Sequence, residues 1–190
     1  MPTEDKEIFY KIKINNQQGD AVIVRECLMQ VYQPITFRNH IVYGSDNPME
    51  WCDMHLKAWD EHAHNLETKV IDDRPYKKSF NIVFFSEVPK GTAIRYFYSY
   101  QWNCLFPSLE DWFILHDVCT IIRIKFTILF SAKLIFLIAT EKFQDGSEKI
   151  CSQLCAPKLI HDFIDEKTYL YIIKKNTKFS TVRLNWKIEI

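Results

Sequence analysis

Glycine is scarce in this chain, with only four among 190 residues. A loop that wraps a nucleotide phosphate needs glycine where the backbone approaches the ligand, and neither the GxGxxG nor the GxxxxGK[ST] pattern occurs. The Gly-x-Ser-x-Gly turn that carries a nucleophilic serine is missing too. These absences argue against nucleotide-dependent enzymes and serine hydrolases of the familiar kinds, and no catalytic residue is assigned.

Net charge is also absent, because 24 Lys and Arg residues balance 24 Asp and Glu residues. Without an overall positive field, nucleic acid is not expected as a primary partner. The charged N-terminal segment, residues 1–6, lacks the apolar core of a signal peptide. The six cysteines are therefore expected to be reduced thiols in a cytoplasmic protein that needs no cofactor.

Long uncharged apolar runs are missing as well. The best candidate for a membrane span, Val118–Ala139, contains Arg123, Lys125 and Lys133. A central Arg or Lys costs about 2.5–3.5 kcal/mol on insertion. From Ile122 onward, apolar and polar residues alternate with the period of a strand, so no membrane span is expected.

Aromatic and β-branched residues are abundant, with 14 Phe, 9 Tyr and 5 Trp, and they favour pleated, half-buried surfaces. Alternation of apolar and polar residues predicts a series of strands. They are 8–14, 21–31, 35–43, 80–84, 92–102, 119–130, 133–143, 168–174 and 181–190. We expect one domain, residues 1–190, of mostly antiparallel β structure. A β-sandwich or partly closed barrel of about eight to ten strands fits, with at most one or two short helices.

Two segments do not show a clear strand pattern. In residues 48–66, apolar residues recur at three- and four-residue spacing, which favours a helix capped by Asn47. The alternative is a hairpin, with strands Cys52–Trp59 and Leu66–Ile71 joined by a turn at Asp60–Asn65. Residues 151–165 have no clear period and are expected to hold one short helix.

An aromatic strand is the most informative candidate for binding. Tyr96, Tyr98, Tyr100 and Trp102 alternate with other residues and share one face. Such a face can stack on a ligand or a partner, or it can form the core of a sandwich with its polar tips at the edge.

The last forty residues carry basic side chains interleaved with aromatic ones, a pattern that suits an anionic partner. They are Lys167, Lys174, Lys175, Lys178, Arg183 and Lys187, with Tyr169, Tyr171, Phe179 and Trp186. Of these, Arg183, Trp186 and Lys187 lie in the C-terminal strand and are predicted as binding residues. That strand either completes the core or lies at a sheet edge, where another chain can pair with it.

Metal ligands are considered at two places. His55, His62 and His64 lie near Asp53, Asp60 and Glu61, which would suit a metal-assisted hydrolase if remote residues helped. Cys151 and Cys155 have a spacing that structural zinc permits, with only His161 nearby. Neither group is complete in the sequence, so no metal site is predicted.

Three segments together resemble immunoglobulin-like β-sandwich modules that accompany bacterial regulatory and defence proteins. They are the strand–turn–strand of residues 14–26, the turn of residues 57–66, and the strand, Pro–Gly turn and Tyr-rich strand of residues 80–102. The resemblance spans about residues 8–140, favours the hairpin for residues 57–66, and implies a non-catalytic module.

The functional expectation is therefore a binding or sensing module. It would dock on a partner protein within a bacterial multi-component system, an anti-phage defence system included. Self-association through sheet edges is a further option. The alternatives are a small-molecule receptor that uses the aromatic face of residues 92–102 and the metal-assisted hydrolase described above.

Overall fold

The computed structural model describes residues 2–44, 47–115, 119–177 and 180–190, which form fourteen strands and one 3₁₀ turn. In chain order these are β1 (Thr3–Ile14), β2 (Ala21–Val31), β3 (Ile35–Tyr43), the 3₁₀ turn (Trp51–Met54), β4 (Lys57–Asp60), β5 (Asn65–Arg74), β6 (Lys77–Val88), β7 (Ala93–Trp102), β8 (Glu110–Leu115), β9 (Ile121–Ile128), β10 (Lys133–Lys142), β11 (Glu148–Ile150), β12 (Ser152–Phe163), β13 (Glu166–Lys174) and β14 (Thr181–Glu189).

The strands form two sheets. The larger has the order β12-β13-β9-β1-β2-β7-β4-β5-β6-β3, and the smaller has the order β11-β10-β14-β8. Pairing is antiparallel except between β1 and β9, which run parallel. Both sheets keep their edges, so the fold is a mostly antiparallel β-sandwich and not a closed barrel. None of the helical structure in the described residues could cross a membrane.

The smaller sheet covers one half of the larger sheet. Trp186 of β14 packs against Phe126 of β9, with ring centroids 5.2 Å apart. The amide groups of Leu134 and Ala139 in β10 donate hydrogen bonds to the hydroxyls of Tyr169 and Tyr171 in β13, at 3.4 and 3.3 Å. These contacts bury the inward face of β9 and β13.

The far end of the larger sheet covers the other half, because that sheet curls back over its own face. His40 of β3 lies 4.7 Å from the ring of Tyr98 in β7, between centroids. Phe80 of β6 packs on the same tyrosine at 5.4 Å. As a result β3 and β8, from different sheets, both lie above the layer that contains β1, β2 and β7.

Much of the predicted order is confirmed. The N-terminal hairpin of β1 and β2 has the expected register, with Ile14 opposite Ala21, and the third strand has the predicted bounds, Ile35–Tyr43. Val118–Ala139 contributes β9 and part of β10, as its alternation indicated, although Val118 lies outside the described residues.

Residues 48–66 form the hairpin rather than the helix. The chain makes a single 3₁₀ turn, leaves it through His55 with φ of 46°, and enters β4, which pairs with β5 around residues 61–64. Of the apolar residues with helical spacing, Met49 and Leu66 are buried whereas Cys52 and Ala63 are exposed, so the spacing does not mark one buried face.

The short helix expected in residues 151–165 is wrong, because this segment is the twelve-residue strand β12. It forms an edge of the larger sheet, its register with β13 shifts three times, and side chains on both faces are exposed. A strand that buries neither face shows no period of two. The nine strands predicted from alternation in the sequence become fourteen in the described residues because β4 and β5 form the hairpin and because β8, β11 and β12 were not predicted.

A buried carboxylate holds the connection between β13 and β14. Glu141 of β10 accepts hydrogen bonds from the amides of Asn176 and Thr177, from the side chain of Asn176 and from the hydroxyl of Ser180. Burial favours the protonated form, but these hydrogen bonds outweigh it and lower the pKa of Glu141. The ionised carboxylate therefore stabilises the fold.

We expect Glu141→Gln to lower the free energy of unfolding by about 2 kcal/mol at pH 7, because a charged acceptor is lost. A carboxylate with a depressed pKa contributes its stability above the unfolded value near 4.3, and this is lost as pH falls through the folded pKa. Urea unfolding at pH 7 and pH 3 should show the gap between wild type and variant narrowing in acid. The control Glu148→Gln removes only an exposed ion pair and should have a small effect. An equal gap at both pH values would contradict this account.

The turn between β1 and β2 requires glycine for two reasons. Gly19 has φ of +82°, and a Cβ atom there would lie 1.8 Å from the carbonyl oxygen of Phe106. Gly146 has nearly the same φ, +86°, but nothing lies within 4 Å of its Cβ position.

The two glycines separate backbone strain from steric overlap. Gly146→Ala should cost about 1–2 kcal/mol, the penalty for a left-handed residue. Gly19→Ala should cost at least twice as much, because the main chain at Phe106 has to move. Thermal or urea unfolding of both variants measures the difference, and equal losses would refute the role of the Phe106 contact.

Candidate binding cleft

A cleft lies between the edge strands β3 and β8, and we name it the strand cleft. It consists of two adjoining cavities of about 760 and 300 Å³. The larger is lined by residues 111–114 of β8, residues 43–44, Tyr76 and residues 105–107. The smaller is lined by residues 38–43 of β3, residues 113–114 and inward side chains of β1, β2 and β7. Tyr43, Phe113 and Ile114 line both cavities.

The cleft follows the edges of these strands. Successive side chains of a strand point to opposite faces, so a cavity lined by four or six consecutive residues runs along the edge of that strand. Within the described residues, β8 pairs only with β14, and β3 pairs only with β6.

The hydrogen-bonding direction of β8 follows from its register. The amide of Ile188 donates to the carbonyl of Leu109 at 2.7 Å, so these two residues form a hydrogen-bonded pair. Bonded and non-bonded pairs alternate along an antiparallel ladder. The main-chain groups of Trp112 and Ile114 therefore point away from β14, toward the strand cleft. The amide of Trp112 donates on that side to Oδ1 of Asp111 at 2.8 Å.

The same argument applies to β3. The amide of Gly44 donates to the carbonyl of Tyr76 at 2.9 Å, which places Gly44 and Tyr76 in a hydrogen-bonded pair. Counting back along the ladder, the main-chain groups of Asn39 and Ile41 point away from β6 and toward the cleft. Two strands from two sheets thus present peptide groups to one space.

A polar network forms the floor of the smaller cavity. Nη1 of Arg25, a residue only 7% exposed, lies 2.8 Å from Nδ1 of His40 and donates to the hydroxyl of Tyr98 at 3.1 Å. Asp5 lies 3.6 Å from Arg25 and 3.3 Å from Arg38. One carboxylate thus holds two guanidinium groups at the cavity wall.

The network fixes the form of His40. Arginine only donates hydrogen bonds, so Nδ1 of His40 accepts and the ring proton lies on Nε2, 3.1 Å from the hydroxyl of Tyr96. Burial lowers the pKa of His40 well below its ordinary value, and the positive charges of Arg25 and Arg38 lower it further. His40 is therefore neutral near pH 7.

The rim of the larger cavity is aromatic. Trp112 is 54% exposed, Tyr76 is 49% exposed and Tyr43 is 38% exposed. Large aromatic side chains at a cleft are the residues that most often dominate the energy of protein recognition.

The aromatic face predicted from residues 96–102 lies in the core. Tyr96, Tyr98, Tyr100 and Trp102 are each no more than 2% exposed. Tyr98 and Tyr100 line the smaller cavity, while Trp102 donates its indole N–H to the carbonyl of Asn47 at 3.1 Å. The four rings therefore do not form an exposed surface on which a ligand could stack. Of this face, only Tyr98 and Tyr100 could contact a ligand, because they line the smaller cavity.

The predicted C-terminal residues are divided between two faces of β14. Trp186 is fully buried, whereas Arg183 and Lys187 lie on the outer face, 3.2 Å from Glu148 and 2.9 Å from Glu110. β14 pairs with β10 and β8 on its two sides, so it completes the core and is not an edge strand. Lys178 and Phe179 of the predicted basic and aromatic set lie outside the described residues.

The candidate metal ligands do not assemble in the described residues, where no three His, Cys, Asp or Glu side chains are grouped to hold an ion. His64 instead pairs with Asp60 at 3.1 Å in the exposed β4–β5 turn, and His62 is beside it. Cys151 is buried and Cys155 is partly exposed, on either side of a register shift.

The strand cleft was missed by the sequence reasoning because its two walls are about seventy residues apart. The available signal was local: Trp112–Leu115 is a short apolar run after a Pro-containing loop, which is consistent with a short buried strand. Arg25 and His40 gave no signal, because nothing in the sequence indicates that these residues of two different strands are in contact.

No family model matches the sequence, and no curated protein matches it. Solved structures share the fold at low identity. A proposed protease from Parabacteroides distasonis superposes with a TM-score of 0.52 and 9% identity over 98% of this chain. A mutant M1 zinc metallopeptidase from Deinococcus radiodurans, bound to a Tyr-Ser-Ala substrate, gives 0.55 and 7% over 96% of this chain. This chain covers only 40% and 42% of those two structures.

The depressed pKa of His40 can be tested directly. We expect NMR titration of its ring signals to give a midpoint below the usual value near 6.5, and Arg38→Gln to raise that midpoint. Because the folded pKa is lowered, the unfolded chain binds this proton first. His40 therefore subtracts stability as pH falls below about 6.5. A midpoint at or above 6.5 in the wild type would disprove the assigned proton position and the influence of the two arginines.

Proposed function

We propose that this chain is a non-catalytic binding module that docks on a partner protein by accepting an extended segment of that partner in the strand cleft. The observation that carries the proposal is that β3 and β8 both direct main-chain groups into this cleft. Those of Asn39 and Ile41 point in from one side, and those of Ile114 together with the carbonyl of Trp112 from the other.

Strand addition uses these groups efficiently. An extended peptide that lies along a sheet edge gains main-chain hydrogen bonds whatever its sequence, and pockets for alternate side chains supply specificity. Each such bond contributes about 0.5–1.5 kcal/mol net. A bound peptide strand that pairs with both β3 and β8 requires these two strands to lie about 9–10 Å apart, which is twice the spacing between neighbouring strands of a sheet.

The rim supports the same role. The exposed rings of Trp112, Tyr76 and Tyr43 can close over the segment and remove water from its side chains. Alternate side chains of the segment would then contact this aromatic rim and the polar floor formed by Arg25 and His40. An apolar wall with a few placed polar groups is the usual composition of a binding site.

The two similar solved structures are compatible with this role, but the proposal does not depend on them. The two solved structures are named as a protease and a peptidase, and one holds a tripeptide. Their likeness extends to the fold alone, so the proposal depends on the cleft. That the partner belongs to a bacterial regulatory or defence system is proposed from the sequence resemblance of residues 8–140.

The proposal predicts that a peptide library will yield binders that need the edge of β8. Random ten-residue peptides displayed on phage are selected on the intact chain, and an enriched peptide is synthesised for measurement of Kd. Ile114→Pro removes an amide that points to the cleft without removing a bond to β14, so binding should weaken at least tenfold. Ile114→Val keeps the amide and should bind as the wild type does.

A second measurement protects the test against misfolding of the proline variant. Methylating alternate amides of the selected peptide removes its own donors while leaving the protein intact, and one of the two methylation patterns should abolish binding. Failure to enrich any peptide, or unchanged Kd after both the Ile114→Pro and methylation changes, would overturn the proposal. A dimer of the chain that Ile114→Pro dissociates would also overturn it, by identifying the donor as a second copy.

A further inference from the structure

The smaller cavity has a chemical character that differs from the rest of the cleft. Two guanidinium groups, from Arg25 and Arg38, and the hydroxyl of Tyr98 line it beside a single carboxylate, that of Asp5. Aromatic rings of Tyr10 and Phe113 form part of its wall and pack edge-to-face, with centroids 6.3 Å apart.

The guanidinium groups are held in place before any ligand arrives. Asp5 lies within 3.6 Å of Arg25 and 3.3 Å of Arg38, and Arg38 also donates to the hydroxyl of Thr3. Arg25 is further fixed by His40 and Tyr98. Donors that are already oriented lose little conformational entropy on binding, which is the requirement for a selective polar site.

The positive charge reaches the cavity interior. Arg25 and Arg38 both contribute to the lowered pKa of His40, a residue that itself lines the cavity and is 4% exposed. Because His40 is neutral, the charged groups among the described lining residues are Arg25, Arg38 and Asp5, which sum to one positive charge. A negatively charged group is favoured in such a place.

We propose that the smaller cavity binds a carboxylate group, with Arg25 and Arg38 as its charged donors and Tyr98 as a neutral one. The planar guanidinium matches carboxylate geometry, and the aromatic wall suits an apolar group attached to it. The cavity opens beside the larger one through Tyr43, Phe113 and Ile114. One ligand can thus place its carboxylate in the smaller cavity and its body along the strand cleft.

The carboxylate can come from two sources. In a peptide it is an acidic side chain or the C-terminus of the bound segment, and this version rests on the function proposed above. In a small organic acid it comes without a peptide, and this version stands by itself. The cavity volume of about 300 Å³ is at the lower end of ligand sites, which suits a group of this size.

Benzoate is the probe for the cavity itself, with benzamide as its neutral match. Calorimetry or NMR on the intact chain should show benzoate binding at least tenfold more tightly than benzamide. Arg38→Gln and Tyr98→Phe should each weaken benzoate binding, the arginine change by about tenfold or more, because a charge-assisted bond is lost. Arg123→Gln removes the same charge from the outer face of β9 and should leave the affinity unchanged.

Arg25→Met is a stronger test but removes a buried side chain, so its melting temperature is measured alongside. If it does not fold, Arg38→Gln and Tyr98→Phe decide, since Arg38 is partly exposed and the tyrosine change is nearly isosteric. Equal affinity for benzoate and benzamide, or no loss in Arg38→Gln, would overturn the proposal for small acids.

The selected peptide provides the second arm. It is compared with its C-terminal amide and with forms in which Asp and Glu are replaced by Asn and Gln, and one of these changes should weaken binding at least tenfold in wild type but not in Arg38→Gln. Peptide binding that ignores all of these changes, with no benzoate binding, overturns the carboxylate site and leaves the proposed function standing. Benzoate binding without any enriched peptide overturns the proposed function and leaves the carboxylate site standing.

Discussion

The hydroxyl groups of Tyr96 and Tyr98 need hydrogen bonds inside the core, and the surrounding architecture depends on how they obtain them. A buried polar group without a partner costs about 1–3 kcal/mol, so an aromatic core of this kind requires polar cover at fixed places. Arg25 and His40 provide it, at 3.1 Å to each hydroxyl. Because His40 belongs to β3, its hydrogen bond with the hydroxyl of Tyr96 requires the far end of the larger sheet to lie over β2 and β7.

That folding-back creates the boundary at which the cleft lies. The smaller sheet covers the half of the core that contains Phe126 and Trp186, where aromatic packing is joined by hydrogen bonds from main-chain amides of β10 to tyrosine hydroxyls of β13. The curled end of the larger sheet covers the half that contains Tyr98. Two covers of different chemistry meet along β3 and β8. Because each ends in an edge strand, the seam between them combines peptide groups, aromatic rings and a buried arginine.

An edge strand is ordinarily a hazard, since it invites pairing with other chains. The β12 edge shows protective features, with three shifts of register and a proline at residue 157. β8 pairs with β14 without a register shift, and β3 pairs with β6 with one shift, near Ile35, and the outward groups of both strands face a shared, partly enclosed space. The contrast between the irregular β12 edge and the more regular edges of β3 and β8 supports the proposal that a partner docks in the cleft.

The sequence by itself determined the strand pairs whose one face is buried. Ile8–Ile14, Ala21–Val31 and Ile35–Tyr43 alternate because one side of each strand meets the core, and that pattern is written locally. It also restricted Tyr96–Trp102 to one face of a strand, leaving open whether that face is core or surface.

Only the tertiary structure decided the rest. β12 was invisible because an edge strand exposed on both faces has no period, and for residues 48–66 the structure decided between the helix and the hairpin that the sequence left open. The cleft depended on contacts between β3 and β8, and its polar floor on Arg25 meeting His40. Such meetings are fixed by how the sheet curls. Curling is a property of the whole packed molecule, and no local stretch of residues encodes it.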